Sequence, residues 1–148
     1  MARDGFTCSE IFAFAEALQD ADKGTQKKVK KLLRDEGTKL RRKTAQLARA
    51  RIRKQAVHRK GIDRAAGTYY KSIKRGKVYY RGKAACIRVY STDAVAHLME
   101  YGWRPKARDG SRGQFQRGRK VFNDSRDAFM DEFNEAVENL ADEVIQGI

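Results

Sequence analysis

From Thr25 to Gln55, apolar residues return at close to helical spacing: Val29, Leu32, Leu33, Leu40, Leu47, Ala48 and Ile52. A helix over 25–55 is about 45 Å long at ~1.5 Å rise per residue. Thr25 follows the "DKGT" break and is the expected N-cap. Gly37 is the weak point of the helix and the candidate bend. The face opposite the apolar stripe is densely basic. One side of this rod is committed to packing, which leaves the other for solvent or a polyanion.

The remaining segments arrange themselves around that rod. Within residues 1–22, "TCSE" at 7–10 matches a capping box, and Ile11, Phe12, Phe14, Ala15 and Leu18 mark a short amphipathic helix. "VHRKGIDRAAGTYYKSI" is a junction with two glycines and mixed polarity. Over 69–92 the composition turns to Val, Ile and Tyr, with a short Gly-containing turn at 81–83, which predicts a β-hairpin. Gly76 is read either as a bulge or as a second turn that makes a three-stranded meander. Asp93 caps a short helix over 94–101, which Gly102 ends. Residues 103–120 form a basic, Gly-rich loop with an extended stretch near Gln114–Arg117. Ala128, Phe129, Phe133, Ala136, Val137, Leu140 and Val144 stripe a C-terminal acidic helix over 123–146, with Asp124 or Ser125 as its cap. This order contains no βαβ alternation. It predicts a single α+β domain over 1–148: a long N-terminal helix and a C-terminal amphipathic helix packed on a small antiparallel sheet, with a short helix and a basic loop between.

Charge divides the chain into three. Residues 1–22 carry one base and five acids, residues 23–120 carry 31 bases and six acids, and residues 121–148 carry one base and eight acids. A basic middle of this size attracts polyanions. The acidic ends are equally suited to pair with it, within the chain or on a neighbouring subunit. No run approaches the roughly 18 apolar residues of a membrane span, so no membrane partner is expected. The N-terminus does not read as a signal or transit peptide. Cys8 and Cys86 read as free thiols.

Catalytic chemistry finds little footing. His97 and Glu100 lie three apart on the short helix, but a metal site needs more ligands, and His58 is the only other histidine. His97 is therefore read as structural. "GKVYYRGKA" (76–84) has five residues between its glycines where a phosphate-binding loop has four, and Ala84 stands where Ser/Thr would hold magnesium. "NDS" at 123–125 fits a glycosylation acceptor with no sign of secretion. No enzyme activity, cofactor or metal is expected. The stretch "RPKARDGSRGQFQRGRK" mixes Arg, Gly and one aromatic, as loops that wrap phosphate backbones do. Phe115 is placed either to stack on a base or to pin the loop to its own domain.

"AVAHLMEYGW" resembles the "YA-hydrophobic-hydrophobic-E-aromatic-G-T" signature of the head–tail joining or tail-completion proteins (minor tail components) of long-tailed double-stranded DNA phages. "AGTYYKSIKRGKV" is similar to the "TGxLxxSI" stretch that leads into that family's first strand, with Gly67, Tyr70, Ser72 and Ile73 in register. The order of elements matches over roughly residues 25–145. Trp103 replaces the usual Thr, and the family's extended apolar segment is reduced to Val121 and Phe122 within "GRKVFNDS". The resemblance implies a non-enzymatic virion protein of the neck, assembled in the host cytoplasm. It would form a homo-oligomeric ring, first a hexamer, that joins the capsid connector or stopper to the tail terminator or tube. Contact with DNA in the channel would be loose and sequence-independent. Glu100, Tyr101, Gly102 and Trp103 are the expected structural corner, with Glu100 holding a backbone amide or an Arg. Arg104, Lys106, Arg108, Arg112, Phe115, Arg117, Arg119 and Lys120 are the expected interaction loop. A free, sequence-independent nucleic-acid-binding protein is the alternative.

Overall fold

The computed structural model describes residues 5–7, 23–52, 57–59 and 61–147. The N-terminal helix expected within 1–22 and Cys8 fall outside these residues, apart from strand β1, Gly5–Thr7. Helix α1 spans Lys23–Arg51 and helix α4 spans Val121–Gln146. Between them lie β2 (Val57–Arg59), β3 (Ile62–Arg64), α2 (Thr68–Lys71), β4 (Ile73–Arg75), β5 (Tyr79–Arg81), β6 (Ala84–Cys86), β7 (Arg88–Ser91), α3 (Ala96–Tyr101), β8 (Gly102–Trp103) and β9 (Gln116–Arg117). The architecture is α+β, as the order of elements predicts.

The two long helices pack antiparallel, which the ion pairs between them make plain. Lys28 meets Glu143 at 2.7 Å, Lys39 and Lys43 both meet Glu132, and Arg51 meets Asp124. Numbers rise along one helix as they fall along the other. Part of the acidic C-terminal helix is therefore paired with the basic helix of its own chain. These exposed pairs orient more than they stabilise. Between them, Leu33, Leu40 and Ala48 of α1 and Phe122, Phe129, Phe133 and Leu140 of α4 are buried. Thr44 sits in the same row and returns its hydroxyl to the Leu40 carbonyl at 2.8 Å. Lys43 lays its ammonium 5.2 Å from the Phe129 ring centroid on the way to Glu132, covering the edge of the core.

α1 runs unbroken through Gly37. A Cβ there would stand 2.9 Å from the Ile87 side chain, so the glycine lets the sheet approach the helix. The sheet beneath α1 has the order β1-β7-β4, all antiparallel, with Phe6 opposite Val89 and Ile73 opposite Ser91. β5 and β6 pair as the tip of the same ribbon, turning through Gly82 at φ 59°. Lys77 and Val78 lie between the Arg75–Val89 and Tyr79–Cys86 pairs, where the other strand has Ile87 and the Arg88 bonded to Gly76. One strand thus carries an extra residue. The bulge falls at Lys77–Val78, just past Gly76, which itself keeps its register with Arg88.

Four expectations need correction. α1 starts at Lys23, so Thr25 lies inside its first turn and is not its N-cap. Tyr69 to Ser72 do not begin a strand. They form the helical turn α2, entered through Gly67 at φ 74° and closed by Ser72 Oγ donating to the Tyr69 carbonyl, and this turn buries Tyr69. The junction 57–64 is a hairpin, β2–β3, turning through Gly61 at φ 82°. Val121 and Phe122 are not an extended segment but the first turn of α4, which starts before Asp124 and Ser125. Cys86 is buried and free, and burial pushes its thiol up.

Phe129 packs on Phe133 with ring centroids 6.4 Å apart in the α1–α4 seam. Phe129→Ala is expected to cost about 3–5 kcal/mol of stability in urea unfolding, the range for emptying a buried aromatic site.

Candidate functional site

Helix α4 begins without a capping side chain of its own. Lys120, in the N-cap position, is the only described non-glycine residue with positive φ, at 49°, and makes no side-chain cap bond. The cap comes from another helix. Glu100, fully buried near the end of α3, accepts the Phe122 N–H at 3.0 Å on one carboxylate oxygen and the Asn123 N–H at 2.9 Å on the other. These are orphan donors of the first helical turn, at the end where a negative charge is favoured. Of the two roles expected for Glu100, holding a backbone amide is the one realised. Asp124 and Ser125 are not the cap: the helix has already started, and Asp124 pairs with Arg51.

Close backbone approach makes this geometry possible. The Arg119 N–H donates to the Met99 carbonyl at 2.6 Å, and Lys120 to that of Glu100 at 3.4 Å. A Cβ on Gly118 would lie 2.1 Å from the Glu100 carbonyl oxygen. Gly102 has φ 96° and ψ 174°, a combination open essentially to glycine alone, and its Cβ would lie 2.3 Å from the Gln116 carbonyl oxygen. Gly102 ends α3 as expected, but in this extended positive-φ conformation and not in a left-handed helical turn, and so starts strand β8. Two glycines facing each other weld the end of α3 to the start of α4.

The segment launched from this weld is an arm, not an open loop. Gly102 pairs with Arg117 and Trp103 with Gln116, Lys106 bridges Arg112, and the chain reverses at Ala107–Gly110. The backbone and hydroxyl of Ser111 both donate to Asp109 Oδ1, at 2.9 and 2.6 Å, and hold its carboxyl below the usual range. Arg104, Lys106, Arg108, Arg112, Arg117, Arg119 and Lys120 are all exposed. Phe115 is half exposed, with the end of its ring over Gly102, so it is anchored at the arm's base. Tyr101 is mostly exposed at the corner. His97 is exposed on α3 while Glu100 is buried with both oxygens occupied, so the two do not converge.

Sequence reasoning missed the cleft beside the weld. It has a volume of about 600 Å³, and Ile52, Leu98, Met99 and Trp103 give it apolar walls. Arg51, Arg64 and Arg119 also line it. Arg51 is held by the Arg119 carbonyl and Asp124, and Arg64 grips the nearly buried Asp93 with both guanidinium nitrogens. Asp93 also accepts the Val95 N–H at 3.1 Å, but the N-cap of α3 is Val95, which has no side-chain cap bond, so Asp93 closes the turn before the helix instead of capping it as expected. Tyr69 lines the cleft, only 5 % exposed, and its hydroxyl has no hydrogen-bond partner among the described residues. Burial first, then the negative charges of Glu100 and Asp93, push the phenol well above its ordinary range and hold it as a neutral donor. No local pattern flags Tyr69, because its partners come from positions 93 and 100.

Glu100→Ala strands two amide donors and is expected to cost about 2–6 kcal/mol, at roughly 1–3 kcal/mol per unsatisfied group. Hydrogen exchange at Phe122 and Asn123 is expected to accelerate before that of the α4 centre. Exchange spread evenly over the helix would contradict the capping role. Tyr69 supplies a pH test. Its pKa is raised in the folded state, so its contribution is present below about pH 10, where an unfolded tyrosine begins to ionise, and is lost as pH rises further. Tyr69→Phe is expected to flatten the fall of stability above pH 10 relative to the parent protein.

Among the described residues no group of His, Cys, Asp or Glu is placed to hold a metal ion, and no helix is long and apolar enough to cross a membrane. Comparison with protein-family models, with characterised proteins and with solved structures finds no match to this chain.

Proposed function

We propose that the chain is a structural subunit of the neck of a long-tailed double-stranded DNA phage. It would be a head–tail joining or tail-completion component that assembles as a ring, first a hexamer, around the DNA channel. The observation that carries this reading is the weld at Glu100. The residues on which the resemblance rests, Glu100 and Gly102, also fix the base of the basic arm against α4. An arm braced at its root and charged along its length is suited to docking on a neighbouring protein, and its position is set by the two long helices. Chemistry of the reacting kind plays no part in the proposal. The arm is the docking element, and the connector or stopper and the tail terminator or tube are its partners in the virion.

The exposed cations of the arm favour a second reading, sequence-independent binding of nucleic acid. The two separate by salt. A free DNA-binding protein loses affinity steeply as salt rises, with a log–log slope near −0.9 per phosphate contacted. A neck subunit keeps its particle state across the same range and binds DNA weakly.

Removing the arm is the direct test. The Gly113 N–H donates to the Pro105 carbonyl at 2.8 Å, so residues 106–112 are replaceable by two glycines without opening the hairpin root. A longer cut, over 106–118, would also remove β9 and the Gly118 contact, and would damage the α4 cap. The short deletion is expected to keep the unfolding midpoint within a few degrees while separate heads and tails accumulate in an assembly reaction. Normal yields of joined particles from that variant would refute the role of the arm.

A further inference from the structure

Asp131, Glu135, Glu138, Asp142 and Ile145 follow one another on α4 at spacings of four, three, four and three. That spacing puts them in one row on one face. All five are exposed. None of the four acids takes part in the ion pairs that tie α4 to α1, which use Asp124, Glu132 and Glu143. Ile145 ends the row as the most exposed large apolar side chain described, at 68 %. The face thus ends in an apolar knob with carboxylates behind it.

The cleft beside Glu100 is the complement of that knob. Its walls are Ile52, Leu98, Met99 and Trp103, and Arg119 at its edge has an exposed side chain. Tyr69 contributes a buried hydroxyl that lacks an acceptor. A phosphate at the Tyr69 end would lie near the negative charges of Glu100 and Asp93, which act on the same phenol. An aliphatic side chain along the walls and a carboxylate at Arg119 match the apolar lining and the exposed cation at its edge. Those are the features of an acidic helix end, and this chain carries one.

We infer that the cleft receives the C-terminal turn of α4 from a second copy of this chain, with Ile145 between Leu98 and Trp103 and Asp142 paired with Arg119. The contact joins two different patches, so it propagates head to tail and closes only as a ring or grows as a filament. It rests on the ring reading above and adds the surface through which subunits meet.

Sedimentation of the full chain against concentration tests it. Trp103 serves as an internal reporter, because it is the only tryptophan in the chain and lines the cleft. Wild type is expected to assemble, with Trp103 emission changing in step. Ile145→Ser and Asp142→Arg are each expected to weaken association at least tenfold without altering stability, since both positions are exposed. Asp142→Arg combined with Arg119→Asp is expected to recover most of the loss. Rings that form undisturbed in all these variants would overturn this interface and leave the ring reading standing. A wild-type chain that stays monomeric at several hundred micromolar would remove both. Trp103 quenching by an oligonucleotide, with no response to protein concentration alone, would overturn the inference in favour of a nucleic-acid occupant.

Discussion

The carboxylate of Glu100 holds the second half of the molecule in place. It sits without solvent between two helices that are 20 residues apart in sequence and accepts the two amides that α4 cannot satisfy from within. A buried carboxylate is costly unless it is hydrogen-bonded. Here both oxygens are used, and the positive end of a long helix faces them. The consequence is positional as much as energetic. Once the start of α4 is fixed to α3, the 26 residues that follow can lie only along α1, and residues 103–117 have no course but outward. The arm is a by-product of the cap.

This explains why glycine appears where it does. Bringing the Arg119 amide to the Met99 carbonyl leaves no room for a side chain on Gly118, and the β8–β9 pairing leaves none on Gly102. Gly37 obeys the same logic elsewhere, where Ile87 of the ribbon presses on the helix backbone. In each case the residue is set by what approaches it. A helix-propensity argument reads Gly37 as a weakness, whereas the packing makes it a contact.

The fold was legible where its causes are local. The stripes of α1 and α4, the turn at Gly82 and the stop at Gly102 all follow from spacing and turn chemistry within a few residues. Tyr69 and Tyr70 were misread because their β-propensity yields to Gly67 and to the burial of the Tyr69 ring. The β2–β3 hairpin is three residues a side and of mixed polarity, too short for a period to declare itself. At the site, an acid expected to hold an amide was identifiable in Glu100, but the amides lie 22 and 23 residues away. Nothing in the intervening basic stretch announces that it folds back. The cleft was invisible for the same reason, being built from residues between 51 and 119.

Charge also bears on how copies of such a chain meet. Apart from Asp127, which pairs with its neighbour Arg126, the acids of α4 divide into those turned toward α1, which are paired, and the row from Asp131 to Asp142, which lies outside those pairs. Among the bases, Lys28, Lys39, Lys43 and Arg51 of α1 hold α4, whereas the cations of the arm are exposed. A twofold dimer through either surface would set acid against acid or arm against arm, and like charges across an interface are repulsive. A head-to-tail contact places the acidic row of one copy against basic residues of the next, and leaves the same two surfaces open at its ends. Further copies add until the rotation closes. In the proposed assembly, the surplus of +14 over each chain would remain on the particle and suit a lumen or face that meets a polyanion.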